Sequence, residues 1–289
     1  MEERSFRVMS LNLLNRVEDY SDRYDALIVH IEEVKPTVVA FQEAIETGLE
    51  YLQDIMFELG YPYHAYHFAG PVKVYDGEDH RYGNITFSRA PIVNEYVVNY
   101  NEMEAPALFG GEFVPSTIVT VVNIGEGETI AIANNHLAWH SSNEAYRQWQ
   151  VAALSEELEM KSMSATATLM VGGFNSTENT DTMRYLRGET FPPHLEPTFW
   201  VDAYEHKGSL DEYATTGPSL PFASDTAYVV GISMPEELPE RRIDYILSKG
   251  WCYGKTGSPL TFVRASLPDV SDHYAIYSDI LVTRVSDRI

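Results

Sequence analysis

Residues 169–180 read LMVGGFNSTENT. Three apolar residues run into two glycines, then Phe174-Asn175, then a polar loop. A short apolar run that stops at glycine and turns polar has the pattern of a buried strand carrying side chains to a site at its end. Outward from it, strand and helix patterns alternate along the chain. Strands are predicted at 6–14, 38–42, 84–88, 168–171, 243–247 and 274–282, the last alternating strongly. Residues 117–124 and 129–134 flank a GEGE turn and predict a hairpin. Ser21-Asp22 open a helix whose face is Tyr24, Leu27, Ile28, Ile31 and Val34, closed by Pro36. Leu49, Leu52, Ile55, Met56 and Leu59 mark a second helix ending at Gly60. A third starts at Ser142 or Asn143 and runs to about Met160, with Trp149, Ala153 and Leu154 inward. The hairpin and the closing strand argue for mixed rather than purely parallel sheets, in one layered α/β domain over residues 1–289. Three polar Gly/Pro-rich loops interrupt it, at 69–83, 100–116 and 205–240.

Composition narrows the function. The chain has 289 residues, 44% of them hydrophobic, enough for a large core. No apolar run reaches the ~18 residues of a membrane span. The start, MEERSFRVMSLNLL, lacks the basic segment and apolar core of a signal peptide, and Cys252 is the only cysteine. These features predict a reducing, cytoplasmic setting. Twenty Lys and Arg stand against 43 Asp and Glu, a formal net charge of −23. Duplex binding rests largely on neutralised phosphates, so generic duplex nucleic acid is a disfavoured partner, a local basic patch aside.

Polar residues recur where the predicted strands end: Asn12 in VMSLNLL, Glu43 in VVAFQEAIE, His136 in AIANNHLAWH and Asn175 in LMVGGFN. Asp244 lies inside RRIDYIL, and Asp272 and His273 precede the final strand in VSDHYAI. Taken singly, each is more often a cap, a turn residue or a structural histidine. Asp244 is the exception, because a carboxylate inside an apolar strand has to be paired. A serine hydrolase fits poorly, since GxSxG is absent. A zinc site built on His64, His67 and His80 lacks both HExxH and CxxC spacing.

The ordered set SLN, FQE, NHL, GGFN, RRIDYIL and SDH resembles the signature of the endonuclease/exonuclease/phosphatase superfamily, with its DNase I-like fold. YGNITFSRAPI at 82–92 is similar to that family's G-N-A-I-L-S-R strand, and Arg147 with Gln150 to its R-x-x-Q pattern. The resemblance implies an α/β (α+β) four-layer sandwich, two mixed sheets flanked by helices, and hydrolysis of a phosphate ester with Mg²⁺ or Mn²⁺. It assigns the metal to Glu43, with Asn12 and Asp272, donors of the oxygen type that hard cations prefer. His136, Asn175 and His273 would bind the phosphate, and Asp244 would orient His273. A small or terminal phosphodiester is the expected substrate, with a flavour of the tyrosyl–DNA phosphodiesterase-like and sphingomyelinase-like branches.

One position departs from the pattern. Where the family's GDxN motif carries the Asp that activates water, this sequence has Gly173. Three readings stand open: an engineered inactive variant, a natural phosphate-binding protein without turnover, or an enzyme in which another carboxylate such as Glu178 or Asp181 substitutes or the motif register differs.

Overall fold

The computed structural model describes residues 2–68, 73–75, 77–100, 116–209, 213–217, 239–249, 255–267 and 270–284. The chain begins β1 (Glu2–Asn12), α1 (Tyr20–Val34), β2 (Val38–Ile45), α2 (Leu49–Glu58) and β3 (Tyr63–His67). There follow β4 (Lys73–Tyr75), β5 (Glu78–His80), β6 (Tyr82–Ser88), β7 (Ile92–Asn99), β8 (Ser116–Gly125), β9 (Glu128–His136) and α3 (Glu144–Ser162). The last part contains β10 (Ala167–Gly173), α4 (Asp181–Leu186), β11 (Val201–Asp202), α5 (Ala203–Lys207), β12 (Asp244–Lys249), β13 (Lys255–Pro259), β14 (Val263–Ala265) and β15 (Ala275–Arg284).

The strands form two large sheets, ordered β13-β15-β1-β2-β6-β3, with β14 also on β15, and β11-β12-β10-β9-β8-β7. Among the described residues each holds one parallel pair. β1 reaches β2 through α1, and β9 reaches β10 through α3; every other pairing in the two sheets is antiparallel. A parallel neighbour needs a crossover, and the crossover helix covers the sheet face.

The period-two alternation of the strands divides the core into three layers. Phe6, Val8, Val38 and Ala40 of one sheet meet Ile130, Ile132, Leu169, Val171 and Ile246 of the other. On the outer faces, Met9, Leu11, Val39 and Phe41 lie under Tyr24, Leu27 and Ile31 of α1. Ala131, Ala133, Met170 and Leu247 lie under Val151, Leu154 and Leu158 of α3. The result is the expected four-layer α/β/β/α sandwich.

The inward-facing rows change character along the strands. Phe6 and Val8 lead to Ser10 and Asn12, Val38 and Ala40 to Gln42, and Ile130 and Ile132 to Asn134 and His136. Gln42 Nε2 donates to Asn134 Oδ1 across the sheets at 2.8 Å, and Asn134 Nδ2 donates to the Phe41 and Ile85 carbonyls at 3.0 and 3.1 Å. This polar bridge closes the apolar core, and beyond it both parallel pairs end side by side.

The edge strands β3, β7, β11 and β13 were not expected from the sequence, nor were β4, β5 and β14. The helix α1 opens at Asp19 rather than Ser21 or Asp22, and Asp19 Oδ1 accepts from Arg23 Nε at 2.8 Å instead of capping. Of the three long loops, 69–83 contains the β4–β5 hairpin and the start of β6, whereas 100–116 and 205–240 lie mostly outside the described residues. No helix among the described residues is long and apolar enough to cross a membrane.

Candidate active site

Four strand ends meet where the polar rows emerge. Register places Asn12 opposite Gln42, while Gly173 sits between His136 on one side and Asp244 on the other. Glu43 departs from the pleat. The β2–β6 register shifts between Phe41 and Ala44, and Glu43 has φ 55°. A glutamate in the left-handed region is strained, and a bulge of this kind re-aims a side chain. The Glu43 carboxylate is surrounded by donors: Asn12 Nδ2 to Oε1 at 2.9 Å, and the Asn15 amide to Oε2 at 3.0 Å. Asn15 Nδ2 adds a bond of 2.5 Å to Oε2, and His136 Nε2 lies 3.7 Å from Oε1. Burial alone would raise the Glu43 carboxyl; His136, Asn12 and Asn15 outweigh it and hold it below the usual carboxylate value.

The two histidines are tuned in opposite directions. Burial lowers His136 despite the opposing pull of Glu43, so its imidazole is neutral near pH 7. Burial would lower His273 too, but its Nδ1 is 2.8 Å from Asp244 Oδ2, and that carboxylate lifts it well above its ordinary value. His273 is therefore an imidazolium at neutral pH, its ring set by Asp244.

Asn175 adopts φ 52°, a conformation asparagine tolerates, and its Nδ2 donates to the Leu137 carbonyl at 2.8 Å. Asp272 is buried in the turn before β15. Ser271 Oγ ties that turn to β1 by donating to the Asn12 carbonyl at 2.6 Å, and accepts the His273 amide at 3.0 Å. Arg147 and Gln150 play a supporting part from α3. Arg147 donates to the Ala138 and His140 carbonyls at 2.8 and 2.7 Å and to Ser176 Oγ at 2.9 Å; Gln150 Oε1 accepts the Ala138 amide at 3.2 Å. They hold the loops that follow β9 and β10.

Asn12, Glu43, His136, Gly173, Asp244, Asp272 and His273 thus share one end of the sandwich with Asn175. Sequence reasoning missed Asn15, Ser271 and Thr215. Thr215 Oγ1 accepts the Ile243 and Asp244 amides at 3.0 and 3.2 Å. Ser271 stood in plain view beside Asp272; Thr215 carried no signal, lying in a stretch without periodicity. The zinc alternative gains nothing, since His80 Nδ1 bonds Thr47 Oγ1 at 2.6 Å and His64 Nε2 bonds Gln53 at 2.9 Å.

At residue 173 a side chain is missing where the neighbours would meet it. A Cβ built there would lie 3.6 Å from Asp244 Oδ1 and 3.6 Å from His136 Nε2. Asp244 Oδ1 is buried with no hydrogen-bond partner among the described residues. Neither proposed substitute points to this space. Glu178 receives Tyr213 Oη on both oxygens at 2.7 Å, and Asp181 is exposed at the start of α4.

The model of the endonuclease/exonuclease/phosphatase family matches residues 9–273. The chain belongs to this family. No curated protein matches the sequence. Solved structures of similar fold include a humanised D. rerio TDP2 carrying 14 mutations, at a TM-score of 0.69 and 16% identity over 96% of this chain and 98% of that one. D. rerio TDP2 complexed with single strand DNA product gives 0.69 and 15% over the same shares, 96% and 98%. The human Nocturnin catalytic domain with bound sulfate anion gives 0.67 and 16%, over 96% and 94%. These likenesses establish the DNase I-like fold. The family is one of enzymes that cleave phosphate esters.

Among the described residues no three His, Cys, Asp or Glu side chains group as a metal site. Beside Glu43 stand the Asn12 and Asn15 amides and one such residue, His136. Asn12 Oδ1 accepts the Leu14 amide at 2.8 Å, so a cation here would rest on Glu43 and Asp272, and Mg²⁺ suits one or two carboxylates because it keeps several of its waters.

Proposed function

We propose that this family member is a Mg²⁺- or Mn²⁺-dependent phosphodiesterase site, on one domain spanning residues 1–289, that lacks its general base at Gly173. The observation that carries this reading is the meeting of Asn12, Glu43, His136, Asp244 and His273 at the ends of both parallel strand pairs. Glu43, helped by Asn12 and Asp272, would hold the cation. When bound, Mg²⁺ or Mn²⁺ supplies Lewis-acid polarisation of the phosphoryl oxygens and offsets charge on the leaving group.

The chain's own residues bind and orient the ester. His273, cationic because Asp244 faces its Nδ1, donates from Nε2 to a non-bridging oxygen. Neutral His136 donates to a second. Asn175, its Nδ2 tied to the Leu137 carbonyl, offers Oδ1 as an acceptor for the attacking water. At 173, glycine supplies no acceptor for the water's proton. A missing general base costs about 10²–10⁴-fold in rate, or roughly 3–5 kcal/mol of barrier.

The D. rerio TDP2 complex with a DNA product supports a nucleic-acid-linked or terminal phosphodiester as substrate, and the acidity of the chain argues against long duplexes. The lone Cys252 supports a cytoplasmic setting. Gly173 also favours a second reading, a protein that binds phosphate esters without turning them over.

Gly173→Asp separates the two. With Mg²⁺ or Mn²⁺, a chromogenic phosphodiester should be cleaved about 10²–10⁴ times faster by the variant. The new Cβ would sit 3.0 Å from His136 Cδ2, so the imidazole must yield by a few tenths of an ångström. A thermal shift with the metal, abolished by Glu43→Gln, reports the cation independently. No rate in either form together with retained phosphate binding selects the binding protein. Neither rate nor binding sinks both readings.

A further inference from the structure

Beside Asn175 lies a cavity of about 410 Å³, lined by Trp139, His140, Arg147, Ser176, Arg241 and Ile243 among others. That volume lies within the ~300–1,000 Å³ range of small-ligand pockets. A larger one, about 630 Å³, opens at the opposite strand ends around Arg4, whose guanidinium is already paired with Glu126. The smaller cavity is lined by one carboxylate, Glu144, which is committed to Arg147, and it holds a second cation, Arg241, with no anion paired to it among the described residues.

Two arginines line it, and they are not equivalent. Arg147 is fully committed to Glu144, Ser176 and the Ala138 and His140 carbonyls. Arg241 is partly buried, its Nε has no hydrogen-bond partner among the described residues, and burial pulls its basicity down. Its backbone is fixed: the Arg241 amide donates to the Thr216 carbonyl at 3.0 Å, and its carbonyl accepts the Thr215 amide at 2.8 Å. The next residue, Arg242, also has a buried Nε without a hydrogen-bond partner among the described residues, but a carboxylate completes its guanidinium. It is paired with Asp202 at 2.6 Å and sandwiched by the rings of Tyr204 and Tyr245 at 4.5 and 4.4 Å. A half-buried guanidinium that makes no such bonds is costly unless an anion completes it.

Two further groups line the same cavity. His140 Nδ1 accepts the Ser142 amide at 3.2 Å, which leaves the imidazole proton on Nε2 and makes His140 a second donor. The Trp139 indole is about half exposed, edge-on to His140 at 5.3 Å. An exposed indole beside an unpaired guanidinium suits a planar ring that carries a phosphate.

We propose that this cavity is a subsite for a second phosphate of the substrate, held by Arg241 and His140, with the attached planar ring stacked on Trp139. The substrate class is then a small nucleotide-like ester with a second phosphate near the scissile one. The substrate role rests on the phosphoesterase reading above; the binding site itself does not.

The test compares adenosine 5′-monophosphate with adenosine 3′,5′-bisphosphate by calorimetry on the full chain, with Trp fluorescence in parallel. The bisphosphate should bind on the order of ten- to hundredfold more tightly, the worth of one charged hydrogen-bonded contact. Arg241→Gln should collapse that ratio towards one, Arg241→Lys should retain part of it, and Trp139→Leu should abolish the fluorescence response. Removing an unpaired arginine leaves the fold intact, so the melting temperature of Arg241→Gln should not fall. A bisphosphate advantage that survives in Arg241→Gln, or none in the parent, overturns the proposal. If the ratio behaves as expected while Gly173→Asp stays inactive, the subsite stands and the phosphoesterase reading fails.

Discussion

A single hydroxyl ties down the backbone that carries the Asp244 carboxylate. Thr215 Oγ1 accepts the amides of Ile243 and Asp244, and the Thr215 carbonyl accepts the Tyr274 amide at 2.9 Å, just past His273. One side chain therefore indexes both partners of the Asp244–His273 pair. Thr215→Val keeps the shape and removes the acceptor, stranding two buried N–H groups. The expected cost is about 1–3 kcal/mol, read from urea unfolding midpoints. In the Gly173→Asp background it should also lower the cleavage rate, since Asp244 loses its anchor. A variant as stable as its parent would show that water or backbone shift replaces the hydroxyl. Residues of this kind were invisible beforehand because a hydroxyl in a loop has neither period nor charge. Asp244 was legible for the opposite reason: a carboxylate amid apolar neighbours demands a partner, and His273 is that partner.

Among the elements, legibility followed burial. Strands with a buried face, such as β2, β9 and β10, gave apolar runs that were placed to within a few residues. β3 and β7 lie at the sheet edges; β7 buries only Val98, so its sequence, IVNEYVVN, has no clean alternation. Glu43 shows a subtler limit. The strand around it was expected, but its bulge and left-handed backbone come from packing against β6 and leave no mark in FQEA. The helix α3 likewise reads as amphipathic, while its role as the anchor of two loops emerges only in three dimensions. Glu144 Oε1 accepts the Thr182 amide at 2.8 Å, and Oε2 accepts Ser176 Oγ at 3.0 Å and Arg147 Nη2 at 2.9 Å. Burial would raise this carboxyl, but the Thr182 amide and Arg147 outweigh it and hold it below the ordinary 4.5. A carboxyl depressed in the folded state contributes stability above its unfolded value and loses it as pH falls through the folded one. Between about pH 5 and 3 the parent should therefore lose more stability than Glu144→Gln, which cannot be protonated. Urea midpoints at pH 6, 4 and 3 check this; parallel pH profiles for the two proteins would count against the anchor.

At the scale of the whole molecule, charge decides how substrate arrives. A net charge of −23 surrounds a site built to receive a phosphate ester, so long-range electrostatics opposes the encounter that the local cations favour. Screening quenches interactions beyond about 10 Å at 0.1 M salt, a distance longer than the reach of Arg241 or His273 but short beside the whole surface. For a basic nucleic-acid binder, added salt weakens association steeply, because each neutralised phosphate releases a counterion. The sign should reverse here. With Gly173→Asp and saturating divalent cation, kcat/KM for an ester at the end of a long duplex should stay flat or rise between 50 and 200 mM NaCl, as screening relieves repulsion. A small chromogenic diester, carrying one charge, should change little, which controls for salt effects on the chemistry. A steep fall for the duplex substrate alone would mean that a local basic surface overrides the global charge. The preference for small or terminal phosphodiesters would then have to be abandoned.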